Sequence, residues 1–150
     1  MPAYSRLDID EYFLQISALV GERSTCIRRK VGCVLVDTRK HIVATGYNGV
    51  PYGFPHCLDR PCEGAFAPSG VDLDKCLAVH AEVNAFLQLT SEDKLTAYLP
   101  ATPCFSCAKM ICNSNVVRIV AKEWYPHPDV KDMFRIADIE LVIRNEDNVS

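Results

Sequence analysis

The sequence predicts an α/β protein in which a single mixed five-stranded sheet is covered by helices on both faces. Short runs rich in β-branched residues alternate along the chain with runs that repeat apolar residues at helical spacing. The resulting order of elements is α-β-β-α-β-α-β-α-β. With 150 residues, 49% hydrophobic and 23% charged, the chain can bury one sizeable core, and we expect residues 1–150 to form one domain.

Local signals support this order of elements. Asp8, with Glu11 three residues later, resembles the capping box that begins a helix. Residues 49 to about 76 are rich in proline and glycine, and a loop of that length requires a function or a cross-link to order it. The predicted elements are, in order, a helix over 8–22, strands over 31–37 and 42–47, a helix over 80–89, a strand over 95–99, a helix from 104, a strand over 116–121, a helix over 129–137 and a strand over 139–143.

Composition excludes several classes of protein. The net charge of −3 provides no global positive field for nucleic acid, so we expect no nucleic-acid partner. The first twelve residues lack the basic start and apolar run of a secretory signal, and no apolar stretch is long enough to cross a membrane. We therefore expect a cytoplasmic protein. In a reducing compartment, eight cysteines favour metal binding over four disulfides.

One pair of motifs provides a candidate catalytic metal site. His80 begins a predicted helix, and Cys104 and Cys107 lie three residues apart at the start of another, where the helix dipole favours thiolates. One imidazole and two thiolates can hold zinc while leaving a fourth position for water. That ligand set is formally neutral and activates water weakly, so a base is needed, and Glu82 lies two residues from His80. The alternative interpretation of Glu82 is a solvated carboxylate in the first turn of the helix.

A second group of cysteines lies in and before the long loop. Cys26, Cys57, Cys62 and Cys76 can form a closed, structural zinc site that would order the loop, with His56 as the alternative to Cys62 for the fourth ligand. The competing interpretation is that these are free thiols in small apolar environments. We favour the metal site, because free cysteines are more typical of strands and helices than of a loop rich in proline and glycine.

The spacing of His-x-Glu and Pro-Cys-x-x-Cys is that of zinc-dependent nucleobase deaminases. Taken together, the residues resemble the deoxycytidylate (dCMP) deaminase family, within the wider cytidine/deoxycytidylate deaminase fold. The resemblance covers nearly the whole chain and is carried by residues 31–34 (VGCV), 46–51 (GYNGVP), 80–85 (HAEVNA) and 102–109 (TPCFSCAK). The cysteines of the long loop are similar to those of the branch of the family that has a second, structural zinc.

This resemblance implies a function and further site residues. The reaction would convert dCMP to dUMP for thymidylate synthesis, with Asn48 binding the sugar and Tyr125 closing over the nucleotide. The basic run Arg28, Arg29 and Lys30 would clamp the 5′-phosphate, although three adjacent cations also fit a solvated edge. Flanking prolines make His127 an unsuitable helical ligand, and we interpret it as a surface residue.

The family also implies regulation and assembly. Many relatives are activated by dCTP and inhibited by dTTP together with Mg²⁺, and the turn corresponding to Gly46, Tyr47, Asn48 and Gly49 contributes to their effector site. Many of them are homo-oligomers, commonly hexamers. We expect the same here as a consequence of the resemblance.

Two alternatives remain open at the level of sequence. One is another zinc deaminase, acting on tRNA adenosine or on free cytidine; the acidic net charge argues against a tRNA partner. The other is a non-catalytic zinc-binding interaction module. It predicts a fourth protein ligand beside His80, Cys104 and Cys107, and no use for Glu82.

Overall fold

A computed structural model describes residues 4–62, 64–66, 68, 76–125 and 127–145. The order of elements matches the predicted one. The helices and strands are α1 (Ile9–Gly21), β1 (Gly32–Val36), β2 (Ile42–Tyr47), α2 (Ala81–Gln88), β3 (Leu95–Ala101), α3 (Phe105–Cys112), β4 (Val116–Glu123), α4 (Pro128–Ile136) and β5 (Glu140–Ile143). The capping signal is also confirmed, because the Asp8 carboxylate accepts a hydrogen bond from the Glu11 amide at 3.2 Å.

The five strands form one mixed sheet, as predicted, and their order in the sheet is β2-β1-β3-β4-β5. β1 pairs antiparallel with both β2 and β3, whereas β3, β4 and β5 are parallel. This topology places the end of β2, the start of β1 and the ends of β3 and β4 at the same edge of the sheet. The loops and helix starts that follow these strands therefore meet there.

Helices cover both faces of the sheet. α1 packs on one face around Phe13, Val34 and Tyr98, while α2, α3 and α4 cover the other around residues such as Leu99 and Ile119. Alternate residues of β1, β3 and β4 point to the two faces, and those pointing into these two cores are nearly all fully buried. The sheet is thus the common support for every element that carries a candidate site residue.

Two glycines allow helices to approach the sheet closely. A Cβ on Gly32 would lie 2.0 Å from the carbonyl oxygen of Ser17 in α1. A Cβ on Gly46 would lie 2.3 Å from the carbonyl oxygen of Ala81 in α2. Since any side chain at these positions would displace a helix, glycine is required at both.

A polar network lies between α1 and the sheet. Asp10 is only 8% exposed and accepts two hydrogen bonds from the Arg118 guanidinium, at 2.9 and 2.7 Å. It also accepts one from the hydroxyl of the fully buried Tyr98, at 2.7 Å. The network ties α1 to β3 and β4.

Within the described residues, no helix combines the length and the apolar character required to cross a membrane. The predicted cytoplasmic location is a separate question and stays a prediction.

Candidate metal and substrate site

A cavity of about 840 Å³ opens at the edge of the sheet where the four strand ends meet. This volume lies within the range of about 300–1,000 Å³ that is typical of ligand pockets. Its walls carry most of the polar residues singled out in the sequence: Arg28, Asn48, His80, Glu82, Cys104 and Tyr125. The fold therefore brings residues that are up to about 100 positions apart into one site.

Two helix starts bring the candidate metal ligands together. His80 is the N-cap residue of α2, Cys104 is the N-cap residue of α3, and Cys107 lies in the first turn of α3. His80 Nδ1 lies 3.2 Å from Cys107 Sγ and 3.5 Å from Cys104 Sγ. Among the described residues, this is the one group of three or more potential ligands whose ligand atoms all lie within 4.8 Å of one another. The predicted trio is thus assembled, and no residue in the described part of the chain joins it as a fourth ligand.

The ionisation of the three groups is strongly coupled. The pKa of Cys104 falls to about 4, mainly because Cys107 and His80 donate hydrogen bonds to its sulfur. The pKa of Cys107 is raised, chiefly because its proton is held by that bond to Cys104. The same thiolate raises the pKa of His80. The cluster therefore holds one negative charge readily and resists a second, and a divalent cation would supply the charge that stabilises both thiolates.

Glu82 lies beside this cluster, in the first turn of α2, and is only 6% exposed. Burial raises the pKa of its carboxyl group, and a hydrogen bond from Cys107 opposes that effect. A buried carboxylate with a raised pKa is a stronger base than a solvated one. The alternative of a solvated first-turn carboxylate does not agree with this burial.

The turn over residues 46–49 holds α2 against the sheet. Gly46 contacts the backbone of α2, and the Tyr47 carbonyl accepts a hydrogen bond from the Asn84 side chain of α2 at 2.8 Å. Gly49 and Val79 exchange two backbone hydrogen bonds, at 3.1 and 2.8 Å, immediately before His80. The end of β2 therefore fixes where α2 begins, and with it the position of the imidazole.

Asn48, from the same turn, supports the segment that enters β1. Its side-chain oxygen accepts from the Val31 amide at 2.9 Å, and its side-chain nitrogen donates to the Arg29 carbonyl at 2.8 Å. The residue is 7% exposed and lines the cavity. Asn48 thus shapes the wall that carries Arg29, in addition to facing the space where a ligand would lie.

Arg29 and Tyr125 meet across one side of the cavity. The Arg29 guanidinium lies 5.4 Å from the centroid of the Tyr125 ring, within the range of a cation–π contact. The hydroxyl of the buried Thr102 accepts from the Tyr125 amide at 2.7 Å and donates to its carbonyl at 3.3 Å. Thr102 therefore holds Tyr125 in place just before the ligand Cys104.

The other two cations of the basic run have different surroundings. The Arg28 guanidinium donates to the carbonyls of Gly64 and Pro68 at 3.0 and 2.8 Å, so it anchors the long loop while lining the cavity. Lys30 forms an exposed ion pair with Glu22 at 3.0 Å, and it is not among the residues of the cavity wall. Of the three, Arg29 and Arg28 face the cavity.

The interpretation of His127 as a surface residue is wrong. The ring is half-buried, lines the cavity and stacks on Phe105, with centroids 5.2 Å apart and planes at 28°. His127 is the N-cap residue of α4 and has the extended backbone that is favoured before a proline, here Pro128. Only tertiary packing brings it there, and no local pattern in the sequence indicates it.

Comparison with known proteins agrees with this arrangement. The family model for the cytidine and deoxycytidylate deaminase zinc-binding region matches residues 7–123. The chain belongs to the cytidine and deoxycytidylate deaminase family. The deoxycytidylate deaminase of Mycobacterium phage D29 is 42% identical over 123 residues, which are 77% of this chain and 95% of that protein. That of Schizosaccharomyces pombe is 37% identical over 116 residues, 74% of this chain but only 36% of the longer yeast protein.

Among solved structures, a dCMP deaminase from the cyanophage S-TIM5, in complex with dCMP and dUMP, has a TM-score of 0.73 and 27% identity. The match covers 92% of this chain and 98% of that one. The predicted fold is therefore confirmed, and the donor set of this family member fits zinc, which prefers nitrogen and sulfur ligands in a tetrahedral arrangement.

The second group of cysteines also converges in this deaminase domain. None of the eight cysteines forms a disulfide. Cys57 Sγ lies 3.9 Å from Cys62 Sγ, Cys62 also contacts Cys76, and Cys26 lies near enough to influence the ionisation of Cys76. His56, the alternative ligand, is exposed. The four sulfurs are less tightly gathered than the His80 trio.

Proposed function

We propose that the protein catalyses the hydrolysis of dCMP to dUMP and ammonia. The observation that carries this proposal is a buried carboxylate, Glu82, beside a three-ligand cluster that opens into a cavity of nucleotide size. An interaction module with a closed metal site would need a fourth protein ligand, and none joins the cluster among the described residues. The names of the relatives support dCMP as the substrate.

His80, Cys104 and Cys107 would hold the catalytic zinc. When bound there, zinc would supply the Lewis acid that makes a water nucleophilic at neutral pH. Glu82 would take a proton from the attacking water as its oxygen bonds to C4 of the cytosine, and would deliver that proton to N3. It would then move the remaining proton of the new hydroxyl group to the amine, so that ammonia leaves as the C4 carbonyl forms. A buried carboxyl with a raised pKa suits this exchange in both directions.

The nucleotide would be oriented by the cavity walls. Asn48 would bind the sugar, and Tyr125 would form a wall next to the base or sugar; both residues line the cavity. We assign the 5′-phosphate to Arg29, with Arg28 beside it, because both line the cavity whereas Lys30 is engaged with Glu22. A guanidinium can bind phosphate through two parallel hydrogen bonds.

Ammonia release from dCMP, dCTP, deoxycytidine and a tRNA substrate tests the proposal. We expect turnover of dCMP and weak turnover of deoxycytidine. Glu82→Gln should keep its zinc and lose about 10²- to 10⁴-fold in kcat. The matched control is Glu92→Gln, an exposed carboxylate outside the cavity, which should leave kcat unchanged. Turnover confined to deoxycytidine or to tRNA would contradict the proposal.

The phosphate contact has its own matched pair of variants. Arg29→Ala should raise KM for dCMP but not for deoxycytidine, while Lys30→Ala should change neither. If Lys30→Ala raised KM for dCMP more than Arg29→Ala did, the phosphate would have to be assigned to Lys30 instead.

We also propose that Cys26, Cys57, Cys62 and Cys76 hold a second zinc. The convergence of thiols from three separate segments supports this proposal. The wild-type protein should contain two zinc ions per chain, and the double variant Cys57→Ser/Cys62→Ser should contain one. Cys112→Ser is the control, since Cys112 contacts the Met133 carbonyl away from both clusters. One zinc in the wild type would contradict the proposal.

Regulation by dCTP and by dTTP with Mg²⁺, and assembly into a hexamer, are proposals based on the similarity to deoxycytidylate deaminases. The turn over residues 46–49 is the proposed effector site, and its Tyr47 is 38% exposed. Sedimentation gives the oligomeric state. Regulation is tested by measuring dCMP turnover with and without each effector. Turnover that is unchanged by dCTP and by dTTP with Mg²⁺ would exclude it.

A further inference from the structure

His127 is held at the cavity wall from two sides. Its backbone is extended, with φ −135° and ψ 110°, and it directly precedes the proline that begins α4. Its ring stacks on Phe105, the residue that follows the metal ligand Cys104. The Lys109 ammonium lies 5.3 Å from the centroid of the same Phe105 ring. The position of the imidazole is therefore fixed relative to the metal cluster.

The hydrogen bonding of this ring is incomplete. His127 Nδ1 is buried and has no hydrogen-bond partner within the part of the chain that the structure describes. A buried N–H without an acceptor is costly, so the proton is better placed on Nε2. Since the ring lines the cavity while Nδ1 is shielded from it, the Nε2–H edge is the part that can meet a ligand.

We propose that His127 determines substrate specificity by donating a hydrogen bond from Nε2 to the 5′-phosphate of the nucleotide. Tyr125, two residues earlier, carries the Arg29 guanidinium against its ring, and Arg29, Tyr125 and His127 all line the same cavity. A donor here would meet a charged oxygen, and such bonds are stronger than neutral ones. This inference rests on the proposed function and adds a residue to it.

Three substitutions of His127 distinguish a hydrogen-bond donor from a ring that only packs. The side-chain amide of Gln reaches about the position of Nε2, that of Asn the position of Nδ1, and Phe keeps the stacking but has no donor. For dCMP, His127→Phe and His127→Asn should lower kcat/KM by about 10- to 100-fold, mostly through KM. His127→Gln should recover most of that loss, and deoxycytidine turnover should stay at the wild-type level in all three.

Zinc content and circular dichroism of each variant establish that it folds. If His127→Phe turns over dCMP as well as the wild type, the ring only packs and the inference is overturned. Equal losses for dCMP and deoxycytidine would overturn the assignment to the phosphate. Failure of the unsubstituted protein to deaminate dCMP is a separate result, because it would remove the proposed function itself.

Discussion

Replacing Asp10 with Asn tests whether the network beneath α1 stabilises the fold in a pH-dependent way. The carboxylate is nearly buried and accepts hydrogen bonds from Arg118 and Tyr98. These contacts lower the pKa of Asp10 from 3.8 to about 2, chiefly through the Arg118 hydrogen bonds and against the effect of burial. The folded protein therefore binds a proton at this site less readily than the unfolded chain does.

The sign and size of the effect follow from linkage. A carboxyl whose pKa falls from 3.8 to about 2 on folding contributes about 2 kcal/mol to the free energy of unfolding at pH 7. That contribution is complete above about pH 5 and disappears as the pH falls through the folded pKa, with about 1 kcal/mol lost by pH 3. Asp10→Asn cannot titrate, and it leaves Arg118 with only the longer ion pair to the exposed Glu140 carboxylate, at 3.5 Å. Because the Arg118 side chain is 25% exposed, solvent screens the loss, and we expect about 2 kcal/mol rather than the larger cost of a fully buried pair.

Urea unfolding at pH 7 and pH 3, followed by circular dichroism, measures this difference. Asp132→Asn is the matched control, because the Asp132–Arg135 pair is exposed, with side chains 66% and 75% accessible, and should contribute less than about 0.5 kcal/mol. Titration of the metal ligands affects all three proteins alike and cancels in the comparison. If the wild type and Asp10→Asn lose the same free energy between the two pH values, the pKa of Asp10 is not lowered and the reasoning fails.

Three further predictions concern how the fold positions the site. Gly46→Ala should cost about 1–3 kcal/mol in thermal unfolding, since its Cβ would lie 2.3 Å from the Ala81 carbonyl; an unchanged Tm would contradict this. Thr102→Val should raise KM while zinc content stays constant, because Tyr125 loses its hydroxyl partner; unchanged KM would refute it. Chelation should abolish activity until zinc is restored, and Cys104→Ser should show no such recovery, measured as ammonia release.

The order of elements could be predicted because apolar periodicity and turn residues are local signals. The end of β3 could not be predicted from such signals. We predicted that it stops at Leu99, yet the strand continues to Ala101 through Pro100. A proline lacks the N–H that a neighbouring strand would require, but the pairing of β1 with β3 extends only to Tyr98, so none is required here. Such an exception depends on the length of the neighbouring strand.

In the candidate site, too, features set by local sequence signals could be predicted, and features set by tertiary contacts could not. The metal trio was predictable, because three ligand types at fixed spacing fall on two helix starts. Among three consecutive cations, the sequence offers no means to decide which faces the cavity, and the partner of Lys30 lies eight residues away on the C-cap of α1. The position of His127 at the cavity wall follows only from the structure, in which its ring stacks on Phe105.

The contacts of the turn over residues 46–49 also bear on regulation. Tyr47 and Gly49 are bonded to Asn84 and Val79, and Val79 is the residue immediately before His80. A ligand shifts an equilibrium only as far as it binds two states differently. An effector that moved the Tyr47 carbonyl would break or strengthen the bond to Asn84, and one that moved Gly49 would displace the backbone that holds the imidazole. An effector bound at this turn would therefore reach the metal cluster through Asn84 and Val79, separately from the contact that Asn48 would make with the substrate.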